Sequence, residues 1–221
     1  MSNDDLIEER RDYEANTLRR DDLSERPFEQ FKVWMKQARD AKLIDASAMA
    51  VATSDAQGQP HVRMVLLKQA DESGFVWYTY QESNKGKELE DNPQASLLFY
   101  WRELERQVRI EGNVTRLPAN NADEYFHSRP EGSRFSAAAS IQSAPVENRQ
   151  VLENKVQALH QQYPDGNVPR PAVWGGYQLH PHRIEFWQGR ADRLHDRFVY
   201  LKDNNAASDQ DQQWTISRLS P

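Results

Sequence analysis

The sequence predicts an α+β fold that is mainly β, an antiparallel barrel-like core with helices at its periphery, and three observations carry that prediction. Strand-like runs rich in β-branched and aromatic residues recur in AMAVATS, HVRMVLLKQ, FVWYTY, ASLLFYW and RQVRIEGNVTRL. Polar turns such as DAQGQP and DESG join several of them, and such short joints make neighbouring strands antiparallel. Helical periodicity comes in blocks and does not alternate with the strands, which disfavours a doubly wound parallel sheet.

Residues 1–26 are charge-dense and poor in apolar residues, the texture of a mobile or surface-hugging arm. Pro27 suits the first turn of a helix, and Phe28, Phe31, Met35, Ala38 and Leu43 follow at amphipathic spacing. The strand-like runs come next and read as five strands in a meander. SNKGKELEDNP interrupts them as a short helix ending before Pro93, and the last two strands turn near Glu103. The stretch from about 119 to 163 reads as helical in three pieces. The last of these carries Leu152, Val156, Leu159 and Tyr163 on one stripe. PDGNVPRPAVWGG ends the insert, and strands resume in GYQLHPHRIEFWQG, with a turn at H-P-H, then in RFVYLKD and QWTISRL across the polar linker DNNAASDQDQ. No repeat or internal boundary is visible, so 27–221 reads as a single domain behind the arm.

The chain has 221 residues, with 34 acids against 28 bases for a net charge of −6, which argues against general affinity for nucleic acid or an anionic membrane. It has no cysteine, so disulfides, thiolate zinc sites and iron–sulfur clusters are excluded. No apolar run approaches the ~20 residues of a membrane span, and the N-terminus is polar from its second residue, so a soluble cytoplasmic protein is expected. Dinucleotide, P-loop, hydrolase-elbow and zincin signatures are absent. His180 and His182 lack further clustered ligands, and no metal site is expected.

Three clusters carry chemistry. In RMVLLK a regular strand would send Arg63, Val65 and Leu67 to one face and Met64, Leu66 and Lys68 to the other, so the two cations would meet different environments. That pattern fits an edge strand with charged ends or two anion sites flanking one strand. In YFHSRPEGS, Tyr125, Arg129 and Ser133 recur at i, i+4 and i+8 and could hold a phosphate, although Pro130 interrupts the helix between them. In IEFWQGRADRLHDR an extended RLHDR would place Arg193, His195 and Arg197 on one face, near Trp187. A helix end and a solvent-facing strand are the bland readings of the second and third clusters.

Taken in this order, the clusters resemble the pyridoxine/pyridoxamine 5′-phosphate oxidase family of FMN-binding split barrels. The resemblance runs nearly end to end, from RRDY at 10–13 through AKLIDASAMAVAT, NPQASLLFYW, ERQVRIEG and WGGY to the closing RL-x-P. It implies a homodimeric split β-barrel with FMN at the subunit interface. It implies further that Arg63, Met64, Val65, Leu66, Leu67 and Lys68, with Tyr78, Thr79, Asn84 and Lys85, hold the flavin. Gln107, Gln142, Ser143, Trp187 and Arg197 complete that set. Substrate would fall to Lys68, Tyr125, Arg129 and Ser133 at its phosphate and to Arg193 and His195 at its ring. Arg10 and Tyr13 would come from the arm acting as a lid, and Asp45 would help to position the reacting groups. The implied reaction oxidises pyridoxamine or pyridoxine 5′-phosphate to pyridoxal 5′-phosphate by hydride transfer from the 4′ carbon, with dioxygen reduced to hydrogen peroxide. The alternatives are a phenazine-pathway flavin oxidase and a non-catalytic carrier of FMN or pyridoxal phosphate.

One departure stands out. The family pattern Ser-Arg-Lys is here Ser83–Asn84–Lys85, which removes a guanidinium expected near the flavin phosphate and predicts weaker FMN retention.

Overall fold

The computed structural model describes residues 12–203 and 214–221. Arg10 and most of the polar linker, residues 204–212, lie outside the described residues. The strands are β1 Ala48–Ser54, β2 Pro60–Leu66, β3 Gln69–Asp71, β4 Gly74–Tyr80, β5 Gln94–Trp101, β6 Arg106–Arg116, β7 Trp174–Gln188, β8 Asp196–Lys202 and β9 Trp214–Leu219. The helices are α1 Pro27–Asp40, α2 Asn84–Asp91, α3 Ala119–Ser128, α4 Glu131–Ala139 and α5 Arg149–Gln162. Among the described residues the nine strands belong to one sheet in the order β2-β1-β5-β6-β7-β4-β3, with β8 beside β7 and β9 beside β8.

The mainly β, antiparallel expectation stands, but the five-strand meander does not. β4 pairs with β3 and β7, not with the β5 that follows it. Helix α2 occupies the connection between them and gives the chain the length to rejoin the sheet beside β1.

By internal contacts the chain forms two compact units. One comprises the described residues within Met1–Ala50, Ser96–Glu111 and Pro181–Pro221. Its core is the apolar stripe of α1, where Phe31 stands edge-on to Phe99 and Trp34 to Phe186. The α1 helix ends at Asp40, short of Leu43, because Lys42 takes φ 54° and the Lys42 and Leu43 amides donate back to the Arg39 and Ala38 carbonyls. β8 pairs with the second half of β7, Trp187 opposite Arg197, and with β9. Part of the sequence's arm packs here: Leu18 is buried and its amide donates to Asp196.

The other unit comprises Val51–Ala95 and Gly112–His180. In it β4 pairs with the first half of β7, Tyr78 opposite Gly176 and Thr79 opposite Gly175. Phe126, Phe135, Val168 and Trp174 form a buried cluster, against which Val156, Leu159 and Tyr163 of the predicted stripe pack only partly. The H-P-H segment is no turn: β7 runs unbroken from Trp174 to Gln188, since proline's fixed φ is compatible with extended backbone. His180 lies within that strand, and its Nε2 is 2.9 Å from Thr115 Oγ1. Among the described residues no helix is long and apolar enough to cross a membrane.

Candidate active site

The unit containing β4 holds a cavity of about 900 Å³, within the roughly 300–1,000 Å³ of ordinary ligand sites. Its first wall comes from β2. The strand stops at Leu66, and the Lys68 amide already bonds the Val76 carbonyl at 2.8 Å as the chain turns into β3. The expectation that the two cations meet different environments fails: Arg63 and Lys68 both line this cavity, with Met64, Val65 and Leu66, while Leu67 is not among its lining residues.

Lys85 forms the second wall. Helix α2 is drawn against the preceding loop at Gly86, where a Cβ would sit 1.9 Å from the Gln81 carbonyl oxygen, so only glycine allows this approach. Lys85 is thereby buried, and its ammonium donates to Thr79 Oγ1 at 3.0 Å, to Gln142 Oε1 at 2.9 Å and to Ser83 Oγ at 3.3 Å. Burial, reinforced by the nearby Arg63 charge, pulls its pKa down to about 8. Arg63 is tied to the buried Glu88, Nη2 to Oε2 at 2.9 Å, and to Thr53 Oγ1.

An aromatic stack forms the third wall. Tyr78 lies flat on Tyr125, centroids 4.2 Å apart, and on Trp174 at 5.6 Å. Gly176 makes room for it, since a Cβ there would meet the Tyr78 ring at 2.8 Å. Burial raises the Tyr78 pKa, so the phenol keeps its proton. Pro130 does interrupt the helix as the sequence suggested, but the break serves the site. α3 ends at Ser128, α4 begins at Glu131, and Tyr125, Arg129 and Ser133 line the same cavity from either side. The Arg129 guanidinium carbon lies 4.9 Å from the Trp174 ring centroid, and its Nη1 is buried with no hydrogen-bond partner among the described residues. The Lys68 ammonium is 5.6 Å from the Tyr125 centroid.

Asn84 and Ser143 line a second cavity of about 780 Å³, where the Asn84 amide donates to Ser143 Oγ at 3.2 Å, and Gln142 lines both cavities. Lys87 lines the second cavity as well.

The unit containing β8 holds the remaining group. Gln107, Trp187 and Arg197 line a cavity of about 200 Å³. Beside it the buried Glu185 accepts from Arg109, Arg183 and Arg197 at 2.9, 2.9 and 2.8 Å. RLHDR is not extended throughout. Asp192 and Arg193 take φ 55° and 60° in a short turn, and β8 begins only at Asp196, so the one-face alternation of Arg193, His195 and Arg197 fails. Arg193 is exposed; its charge and burial lower the His195 pKa, burial being the larger cause. The His195 Nδ1 accepts the Arg190 amide at 3.1 Å, which assigns the proton of the neutral imidazole to Nε2. Trp187 lies 4.6 Å from His195, and Tyr13 stands edge-on to both rings. Asp45 sits exposed in the turn before β1 with φ 53° and lines none of these cavities.

Sequence reasoning missed Glu88, Thr53, Trp174 and Glu185. Glu88 had a signal: it lies three residues after Lys85 and beside Leu89, on the face that α2 buries. Trp174 had none beyond its place before two glycines.

The cavity suits a phosphorylated aromatic cofactor and substrate. Arg63, Lys68, Lys85 and Arg129 bring four cations to it, Arg129 with a buried donor unused, and the stacked rings offer a flat apolar wall.

Comparison with known proteins agrees. Residues 35–163 match the family described as pyridoxamine 5′-phosphate oxidase, and residues 174–221 match the pyridoxine 5′-phosphate oxidase C-terminal dimerisation region. A pyridoxine/pyridoxamine 5′-phosphate oxidase of Hydrogenovibrio crunogenus is 49% identical over 221 residues, all of both chains. One of Paraburkholderia phytofirmans is 51% identical over 216 residues, 98% of this chain and 99% of its own. The crystal structure of PhzG from Burkholderia lata, in complex with tetrahydrophenazine-1-carboxylic acid, superposes with a TM-score of 0.85 at 31% identity, covering 94% of this chain and 99% of the other. An FMN-binding protein of Nostoc punctiforme, 15% identical with a TM-score of 0.70 over 90% of this chain and all of its own, shares the fold.

Proposed function

The chain belongs to the pyridoxamine 5′-phosphate oxidase family, an oxidoreductase family, and from that premise we propose that it oxidises pyridoxamine and pyridoxine 5′-phosphates to pyridoxal 5′-phosphate with FMN as cofactor. The observation that carries the reading is the convergence of Lys68, Tyr125, Arg129 and Ser133 on one cavity with Arg63 and Lys85. Two sets of cations in one aromatic-walled space suit two phosphorylated ligands, one cofactor and one substrate.

FMN would be held by Arg63 and Lys85 at its phosphate and by Thr79 and Gln142 through hydrogen bonds, with Gln107, Trp187 and Arg197 from the partner of a homodimer completing the site. The match of residues 174–221 to a dimerisation region supports that arrangement. When bound, FMN would supply the redox chemistry, serving as acceptor for a hydride from the substrate 4′ carbon, with dioxygen as the final oxidant reduced to hydrogen peroxide.

The protein's own part is placement and charge. Arg129, already seated over Trp174 with a buried N–H to spare, takes a substrate phosphate oxygen, and Lys68 and Ser133 take others. Arg193 and His195 orient the pyridine ring. His195 does so as a neutral imidazole donating through Nε2, because the Arg190 amide occupies Nδ1 and burial keeps its pKa low. Tyr13 closes the arm over His195 and Trp187, which excludes water from the reacting carbon. No strong base is required. A cytoplasmic setting, where the B6 vitamers and dioxygen are both at hand, fits this role.

The similarity to PhzG favours one second reading, oxidation of a reduced phenazine. Anaerobic titration of the flavin-loaded protein separates the two. Bleaching of the flavin band by pyridoxamine 5′-phosphate, and its return with peroxide on admitting air, supports the proposal. Bleaching by a tetrahydrophenazine carboxylate alone supports the rival, and a band that neither bleaches is the result expected of a carrier.

A further inference from the structure

We infer that Glu88 is a positioning residue for the flavin phosphate, holding the Arg63 guanidinium so that its free edge is presented to the anion. The inference deepens the proposed function and rests on its assignment of Arg63 to the FMN phosphate. Glu88 lies in α2, one turn after Lys85, and is 6% exposed. Its Oε2 accepts from Arg63 Nη2 at 2.9 Å and from the Thr53 hydroxyl, and its Oε1 is 3.9 Å from His61 Nε2. Thr53 Oγ1 in turn accepts from Arg63 Nη1, which also faces the Val51 carbonyl at 3.3 Å and the His61 carbonyl at 3.4 Å.

An arginine has five N–H donors in a planar fork. These contacts engage both hydrogens of Nη1 and one of Nη2, which leaves Nε–H and the second Nη2–H side by side, the spacing that matches two phosphate oxygens. Glu88 thus determines which edge of Arg63 stays available. It also sits close enough to Lys85 to offset part of the repulsion from Arg63: the Arg63 charge lowers the Lys85 pKa and the Glu88 carboxylate raises it.

Glu88 is itself negative, so two effects oppose one another when it is removed. Its loss lifts a repulsion on the phosphate and releases the Arg63 rotamers. The carboxylate is already neutralised by Arg63 at 2.9 Å, whereas a released arginine regains rotamer entropy that must be lost again on binding, so release dominates. FMN affinity should fall on the order of tenfold.

The experiment titrates cofactor-free protein with FMN and with riboflavin, which lacks the phosphate, following quenching of flavin fluorescence. Glu88→Ala should weaken FMN about tenfold and leave riboflavin unchanged. Glu88→Gln, which keeps an acceptor for Arg63, should recover part of the loss. In an Arg63→Ala background Glu88→Ala should add nothing. Equal losses for both flavins, a Glu88 effect that persists without Arg63, or tighter FMN binding by Glu88→Ala would each overturn the inference while leaving the function intact. Wild-type protein that binds no FMN would overturn both.

Discussion

The Tyr13 ring stands edge-on to the His195 imidazole, centroids 5.5 Å apart with planes at 83°, and edge-on again to Trp187 at 5.6 Å and 90°. Gly189 makes the seat, because a Cβ there would lie 2.7 Å from the tyrosine ring. A residue of the N-terminal arm is therefore fitted to the two side chains proposed to face flavin and substrate.

Tyr13→Ala removes both edge contacts, each worth about 0.5–1.5 kcal/mol. KM for pyridoxamine 5′-phosphate should rise roughly tenfold, with a smaller change in kcat, and Gly189→Ala should reproduce the effect by displacing the ring. Steady-state kinetics check this, and an unchanged KM in both variants would contradict the lid.

If Lys85 holds the FMN phosphate as proposed, cofactor affinity should depend on pH. Its folded pKa is about 8, against 10.5 for the free side chain. Between those values the unfolded chain holds the proton that the folded one has released. The group's contribution to the stability of the cofactor-free protein therefore rises with pH across that window. Binding runs the other way, because the phosphate needs the ammonium. The FMN dissociation constant should grow above pH 8, by up to about tenfold per unit. Lys85→Gln should bind more weakly at pH 7 and flatten the profile.

Asn84→Arg should tighten FMN. Asn84 lines the cavity it shares with Gln142 and Ser143, and a guanidinium there would add a charge-assisted contact worth roughly 1–3 kcal/mol. Fluorescence titration in low and moderate salt would show the gain shrinking with ionic strength. An affinity no better than that of the parent would reject this reading of Asn84.

Gly86→Ala should damage fold and site together. A Cβ 1.9 Å from the Gln81 oxygen forces α2 away from its loop, an overpacking cost of about 1–3 kcal/mol. Both a lower melting temperature and weaker FMN binding are expected, since Lys85 and Glu88 ride on the same helix. Gly132→Ala, where a Cβ meets nothing within 4 Å, is the matched control.

The sequence showed most of the strands because half-buried strands write their alternation locally, and α1 because its apolar stripe is long. It misjudged what depends on distant partners. The H-P-H segment carries turn-like residues yet continues β7, and the strand order around β4 follows from pairing with β7, which sequence proximity does not reveal. At the site, Tyr125, Arg129 and Ser133 are legible from spacing, whereas Arg63 and Lys68 share one cavity that takes residues of both parities from β2, which strand alternation alone does not reveal. The fixation of Arg63 by Glu88 spans 25 residues and was invisible for the same reason.

Glu185, buried at the centre of Arg109, Arg183 and Arg197, makes that patch unequal in its tolerance of change. Losing one arginine leaves the carboxylate two partners. Losing the carboxylate leaves Arg109 and Arg183 to share Glu111 and Arg197 with the Ser220 carbonyl, three cations around one remaining acid, the costlier event. The arginines are thus individually dispensable in a way that the central acid is not, and replacing Glu185 by a neutral residue is tolerable only where the charges around it are reduced as well.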